Sequence, residues 1–290
     1  MISPYILNIL IFICIYIILA VSLNVAIGYT GLLNLGHVAF FGIGAYTSAL
    51  LTKAGVPYIV ALICAGVFAA ILGFLLILAT YRLKGDYLAL ATLGFNFVIY
   101  SLMLNMIFLT NGPLGIAGIA KPSIFGLAIK TNFSYFIFVA VICTISVSII
   151  YFLMRSPFGR LLEATRDDEI GLRVLGKNTF ALKSKAMVIS AFFAGIAGSL
   201  FAHYITYIDP TSFTLPEVIL IVTIVIVGGL ASIKGSIIAA FVILIVPEAL
   251  RFVALPSSIL GPTRQIIYAL ILIIILMFRP RGISGRVDLK

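Results

Sequence analysis

FSYFIFVAVICTISVSIIYFLM, residues 133–154, runs without a break into RSPFGRLLEATRDDEIGLRVLGKNTFALKSK, residues 155–185. The first stretch is 22 residues without a charge. The second carries seven basic residues (Arg155, Arg160, Arg166, Arg173, Lys177, Lys183, Lys185) and four acidic ones (Glu163, Asp167, Asp168, Glu169), 11 of the 28 charges in the chain. An apolar helix needs about 20 residues to cross a hydrocarbon core of roughly 30 Å. The junction therefore reads as a membrane span delivering the chain into an aqueous loop.

The same pattern recurs on either side. Of 290 residues, 63% are hydrophobic and 10% are charged, against about 25% charged in a soluble domain. Apolar runs lie at 5–27, 31–51, 57–80, 86–109, 133–154, 186–208, 217–230, 236–253 and 263–278. Their length and lack of period-2 alternation predict an all-α polytopic helix bundle of about nine segments rather than a barrel. The bundle is expected to be one transmembrane domain spanning residues 1–290, with the loop 155–185 as its polar appendage. The first run lacks a basic flank and a small-residue cleavage site and reads as a retained span. The second contains Gly36, Gly42 and Gly44 with Asn34 and His37, a composition that leaves a re-entrant or broken path open.

Short loops rich in Lys and Arg favour the cytoplasm. Loop 155–185 and the tail after Phe278 are the two richest, and four spans separate them, so they share a side. Counting back puts Arg82, Lys84 and Lys234 on that side and the N-terminus outside. The net charge of +10 sits at helix ends and loops without interleaved aromatics, which argues against nucleic acid.

Within the loop, Ser156 and Pro157 fit an N-cap and N1 pair, Thr165 with Asp168 fits a capping box, and Gly176 fits a C′ residue. These signals predict one bent helix or two short ones, with a solvated linker as the alternative. Gly171, Gly176 and Lys177 begin a phosphate-loop pattern, but Asn178 stands where Ser or Thr would hold magnesium and no strand precedes it. Nucleotide binding by this chain is not expected. The histidines, His37 and His203, are too separate to suggest a metal site, and Cys14, Cys64 and Cys143 lie inside apolar runs as small buried hydrophobes. Glu217, Glu248 and Arg251 fall at or near span ends, where snorkelling or a Glu248–Arg251 pair accounts for them. No acidic residue falls near the middle of a bounded span, which disfavours ion-coupled transport. No constellation of nucleophile, base and orienter suggests an enzyme.

GLLNLGHVAFFGIGAY (31–46), TNGPLGI (110–116), RSPFGRLLEATRDDEIGLRVLGKN (155–178), SAFFAGIAGSLFA (190–202), GGLASIKGSIIAA (228–240) and FRPRGI (278–283) occur in this order. Together they resemble LivM-type permeases of branched-chain amino acid ABC importers over residues 25–283. Val38, Ala231 and Lys234 depart from the usual pattern. The resemblance implies a multi-pass subunit of a prokaryotic cell membrane that pairs with a second, similar permease, two cytoplasmic ATPase subunits and an extracytoplasmic substrate-binding protein. It implies that ATP is hydrolysed by partners and that this chain binds no cofactor. It further implies that loop 155–185 is the coupling loop, with Gly159, Arg160, Glu163, Arg166, Asp168, Glu169 and Gly176 matching the family pattern. Asn34, His37, Asn96 and Asn111 are the candidate polar groups on the translocation path. An ion-coupled transporter, or an importer of urea or short amides, are the alternatives.

Overall fold

The computed structural model describes residues 4–124, 127–129, 131–249, 257–279 and 281–285. All nine expected segments are helices: α1 (Pro4–Asn24), α2 (His37–Lys53), α3 (Tyr58–Thr80), α4 (Gly85–Asn105), then, after the single turn α5 (Ile107–Thr110), α6 (Asn132–Arg155). After the polar loop, with α7 (Pro157–Asp167) and α8 (Glu169–Val174), come α9 (Thr179–Ile205), α10 (Leu215–Gly228), α11 (Ile233–Ala249) and α12 (Ser257–Phe278). Among the described residues, six helical segments are long and apolar enough to cross a membrane.

The centre is built from α1, α2 and α9, with α3 and α4 packed on one side and α6, α10 and α11 around α1. Composition explains the ranking. α1 is apolar on every face, and from Ile15 to its end it is wholly buried, as a helix without a polar stripe must be. α9 carries the small-residue face expected from Gly195 and Gly198. A Cβ on Gly198 would lie 2.0 Å from the Phe41 carbonyl, and one on Gly195 would lie 2.5 Å from the Ala65 carbonyl. Only missing side chains let α2 and α3 approach α9 this closely. On α3 the small residues Ala61, Ala65 and Ala69 are buried while Ile63, Phe68, Ile71, Leu75 and Leu78 are exposed. Bulky apolar groups pointing outward suit lipid rather than water.

The second segment is broken rather than re-entrant. α1 ends in a π-helical turn, Val25–Tyr29, residues 31–36 are unwound, and α2 then runs beside α9 from the level of Ser190 to Thr52, whose hydroxyl meets His203 near the far end of α9. At that far end a two-residue strand β1 (Ile116–Ala117) pairs antiparallel with Tyr207–Ile208, and Ile119 N–H donates to the Thr206 carbonyl at 3.1 Å. The Gly-rich loop after α5 thus packs as a cap.

Two expectations about charged residues change. Glu217 does not snorkel: its carboxylate accepts a hydrogen bond from Tyr16 Oη, near the middle of α1. An acidic group level with the middle of α1 therefore exists, because α10 begins part-way along the bundle. Arg251, and with it the expected pair with Glu248, lies outside the described residues.

Candidate functional site

The polar loop is a folded unit. Ser156 caps α7, its hydroxyl accepting from Phe158 N at 3.2 Å with Pro157 at the first helical position. Gly159 is buried in the corner, where a Cβ would lie 2.0 Å from the Met154 carbonyl. α7 stops at Asp168, which caps α8 by accepting from Gly171 N at 2.9 Å. Thr165 is not a cap: α7 runs through it, and its hydroxyl donates back to the Leu161 carbonyl at 2.7 Å. Gly176 has φ +75 and closes α8, its N–H donating to Arg173 O at 2.9 Å and Lys177 N–H donating to Leu172 O at 3.2 Å. That is a Schellman-type end, which a residue with a Cβ adopts only at a cost of about 1 kcal/mol. Asn178 then caps α9 by accepting from Ala181 N at 3.0 Å. The phosphate-loop look-alike is accordingly a helix, a turn and a cap, with its amides already used.

Glu169 is the loop's electrostatic hub. Its carboxylate takes Lys183 Nζ at 2.7 Å, Thr179 Oγ1 at 3.2 Å, and an ion pair with Arg173 one turn on. Burial works against its ionisation, but the Lys183 ammonium and the Arg173 guanidinium outweigh that and hold its carboxyl below the ordinary range. Arg166 reaches out of the loop. Its Nε and Nη2 hold Asp167 at 2.9 and 2.8 Å, while Nη1 donates to the Gly28 carbonyl at 2.8 Å, in the π turn that ends α1. Arg160 is exposed and Glu163 half-buried.

Turned outward are the loop's aliphatic groups. Ile170, Val174 and Leu175 are 68, 82 and 76% exposed, whereas the Glu169 side chain is 14% exposed. Arg166, Asp167, Asp168, Glu169, Arg173 and Lys183 are engaged in internal order, and α8 turns its aliphatic groups outward. Charge counting does not bring out these aliphatic groups. Their spacing at i, i+4 and i+5 places Ile170, Val174 and Leu175 on one exposed face.

Beneath the loop, the π turn is tied to the turn between α10 and α11. Asn24 is fully buried; its Oδ1 accepts from Ala231 N at 3.0 Å, and its Nδ2 faces Ser236 Oγ at 2.8 Å and the Gly229 and Ser232 carbonyls at 3.3 Å. Ala231, one of the departures from the Gly-rich pattern, holds φ +58. The C-terminal segment adds to the junction, with Ile283 N–H on Val227 O at 2.8 Å and Ser284 N–H on Gly228 O at 3.1 Å.

Three of the four path candidates gather around the unwound entry to α2. Asn34 accepts from Gly36 N at 3.1 Å and points its Nδ2 at Met187 Sδ, 3.4 Å away. His37 lies between Ser22 Oγ at 3.1 Å and Ser190 Oγ at 3.5 Å. On α4, Thr92 Oγ1 accepts from Leu35 N at 3.0 Å, and one turn further Asn96 is 2% exposed with its Oδ1 lacking any hydrogen-bond partner among the described residues. Asn111 is elsewhere: it is exposed, with φ 58, in the turn beside the far-end cap. His203 is satisfied structurally by Ser199 O at 3.0 Å and Thr52 Oγ1 at 3.2 Å. No group of three or more His, Cys, Asp or Glu that could hold a metal occurs among the described residues.

A bundle of apolar helices with an unwound, polar-lined segment inside it and a folded polar loop at one end defines a polytopic membrane permease. The chain belongs to the family of branched-chain amino acid transport system permease components, which it matches over residues 5–277. It is 38% identical, over an aligned length of 294, to the high-affinity branched-chain amino acid transport system permease protein LivM of Escherichia coli, covering 93% of this chain and 67% of that protein. The LivM protein of Salmonella typhimurium gives the same figures. A probable branched-chain amino acid transport permease protein LivM of Methanocaldococcus jannaschii is 28% identical over 236 residues, covering 69% of this chain. No solved structure gives a significant match.

Proposed function

We propose that this chain is a membrane subunit of an ATP-driven importer of branched-chain amino acids and that α7 and α8 receive the push of a cytoplasmic ATPase. The observation that carries this is the inverted character of α8: its charges are engaged within the loop, and Ile170, Val174 and Leu175 face outward. A merely solvated loop has no reason to expose three aliphatic groups on one turn. In this reading the loop end is cytoplasmic and the N-terminus is outside, as the basic residues favour. A second permease, two ATPases and an external binding protein complete the assembly, and the zwitterionic substrate passes near Asn34, His37 and Asn96.

Reconstitution tests it. Proteoliposomes holding the chain with its ATPase partners, a second permease and the binding protein should take up labelled leucine only with ATP. Uptake by this chain alone under an ion gradient would instead establish an ion-coupled transporter, for which Glu217, half-buried beside Tyr16, would be the first residue to test. Uptake of urea or short amides in preference to leucine would move the assignment to that substrate class.

A further inference from the structure

A second polar site lies at the loop end of the bundle, outside α7 and α8. A crevice of about 170 Å³ opens between the last turn of α6, the π turn after α1, the α10–α11 turn and the C-terminal segment. Arg155, Lys234, Tyr29, Ser232 and Ser284 line it, and among the described residues no Asp or Glu does. The Arg155 guanidinium is laid over the Tyr151 ring, 4.6 Å from its centroid, an arrangement that steadies a cation.

Each of the two cations ends an apolar stripe. On α6, stepping back from Arg155 by helical turns, Phe152, Ile149, Ile145 and Val141 are all exposed. On α11, stepping forward from Lys234, Ile238, Phe241, Val242 and Ile245 are exposed. Residues at these intervals share one helix face. Both helices pack on α1, so two outward apolar stripes terminate at one crevice bearing two positive charges and hydroxyl groups. Snorkelling alone explains a cation at a helix end. It does not explain why both converge on one recess with no carboxylate among the described residues that line it.

We propose that this crevice binds the phosphate of an anionic membrane lipid, with the acyl chains lying along the stripes of α6 and α11. A guanidinium fork and an ammonium suit a phosphodiester, and basic pockets between spans are the usual seat of anionic headgroups. The proposal rests on the membrane-spanning fold and not on which substrate is carried or on ATPase docking.

The test is lipid retention. The chain is purified from its membrane in mild detergent with the subunits that accompany it, and co-purifying phospholipid is quantified by mass spectrometry. Wild type should be enriched in anionic over zwitterionic lipid relative to the bulk membrane, and Arg155→Gln with Lys234→Gln should lower that enrichment roughly tenfold. The charge-preserving pair Arg155→Lys with Lys234→Arg should restore most of it, which separates lost charge from lost folding. Equal enrichment in wild type and the Gln pair overturns the proposal. Saturable binding of inorganic phosphate to delipidated protein, abolished in the Gln pair and without lipid enrichment in wild type, would assign the site to a soluble anion and overturn the lipid. Cross-links from Phe152→Cys and Phe241→Cys to a second permease, with no lipid retained, would show that protein covers this face and likewise overturn it.

Discussion

Arg166 Nη1 donates to the carbonyl of Gly28 at 2.8 Å, joining the polar loop to the π turn that ends α1 across 138 residues of sequence. The bond does not stand alone. Gly28 is packed so closely that a Cβ on it would lie 1.9 Å from Asn24 Oδ1 and 2.4 Å from Ala231 N. Arg166, Gly28 and Asn24 thus form a continuous line of contacts from α7 to the turn before α11.

That route makes Arg166 a positioning residue with a measurable signature. A charged hydrogen bond of this kind contributes about 1.5–3 kcal/mol. Arg166→Met is expected to leave the protein in the membrane and ATP hydrolysis largely intact while lowering leucine moved per ATP by about tenfold. Uptake and hydrolysis measured together in proteoliposomes decide it. A parallel fall in both would mean that the bond merely stabilises the loop.

Glu169 sets the pH range of the loop. Its carboxyl is held below the usual value of 4.5, so its contribution is fully present above that value and is lost as pH falls through the lower folded one. Protection of the α8 amides from hydrogen exchange should be flat as pH falls from neutral to the ordinary carboxyl value of 4.5 and be lost only below it. Glu169→Gln should show weak protection at neutral pH, since removing one partner of a largely buried ion pair costs about 3 kcal/mol. Glu169→Lys places three cations together and should abolish transport by unfolding α8. Normal α8 protection in Glu169→Lys would refute this account.

The apolar face of α8 gives a different outcome from the same helix. Burying an exposed Ile, Val or Leu contributes about 1.5–3 kcal/mol. Replacing Ile170, Val174 and Leu175 together by Ser should weaken binding of the ATPase subunits by about a hundredfold or more, with thermal stability of the isolated permease unchanged. Unaltered affinity in a direct binding titration would remove α8 from the docking surface.

What the sequence made legible follows the range of the interaction. Ser156 with Pro157, Asp168 and Gly176 were readable because capping is settled within a few residues. Thr165 misled because a hydroxyl three residues before Asp168 fits a cap equally well until α7 is seen to run through it. The small-residue face of α9 was legible as a pattern, though not its partners on α2 and α3. Tyr16 with Glu217 and Arg166 with Gly28 were beyond reach, since each depends on how distant helices are stacked. Asn34, His37 and Asn96 could be picked out as polar groups in apolar runs, yet only packing brings them together and separates Asn111 from them.

Asn96 allows stability and function to be set against each other. Its Oδ1 is buried and without a partner among the described residues, a state that costs about 1–3 kcal/mol. Leu has nearly the same volume and no such group. If the free oxygen serves a passing ammonium or water, Asn96→Leu should raise the thermal midpoint in detergent while lowering leucine uptake severalfold, the trade expected where a polar group is kept unpaired for function. His37→Leu should do the reverse for stability, because it would leave Ser22 and Ser190 without their shared partner. Measuring both variants for unfolding temperature and uptake separates the two roles. A destabilised Asn96→Leu protein with normal uptake would make Asn96 a packing residue and shift the path toward Asn34.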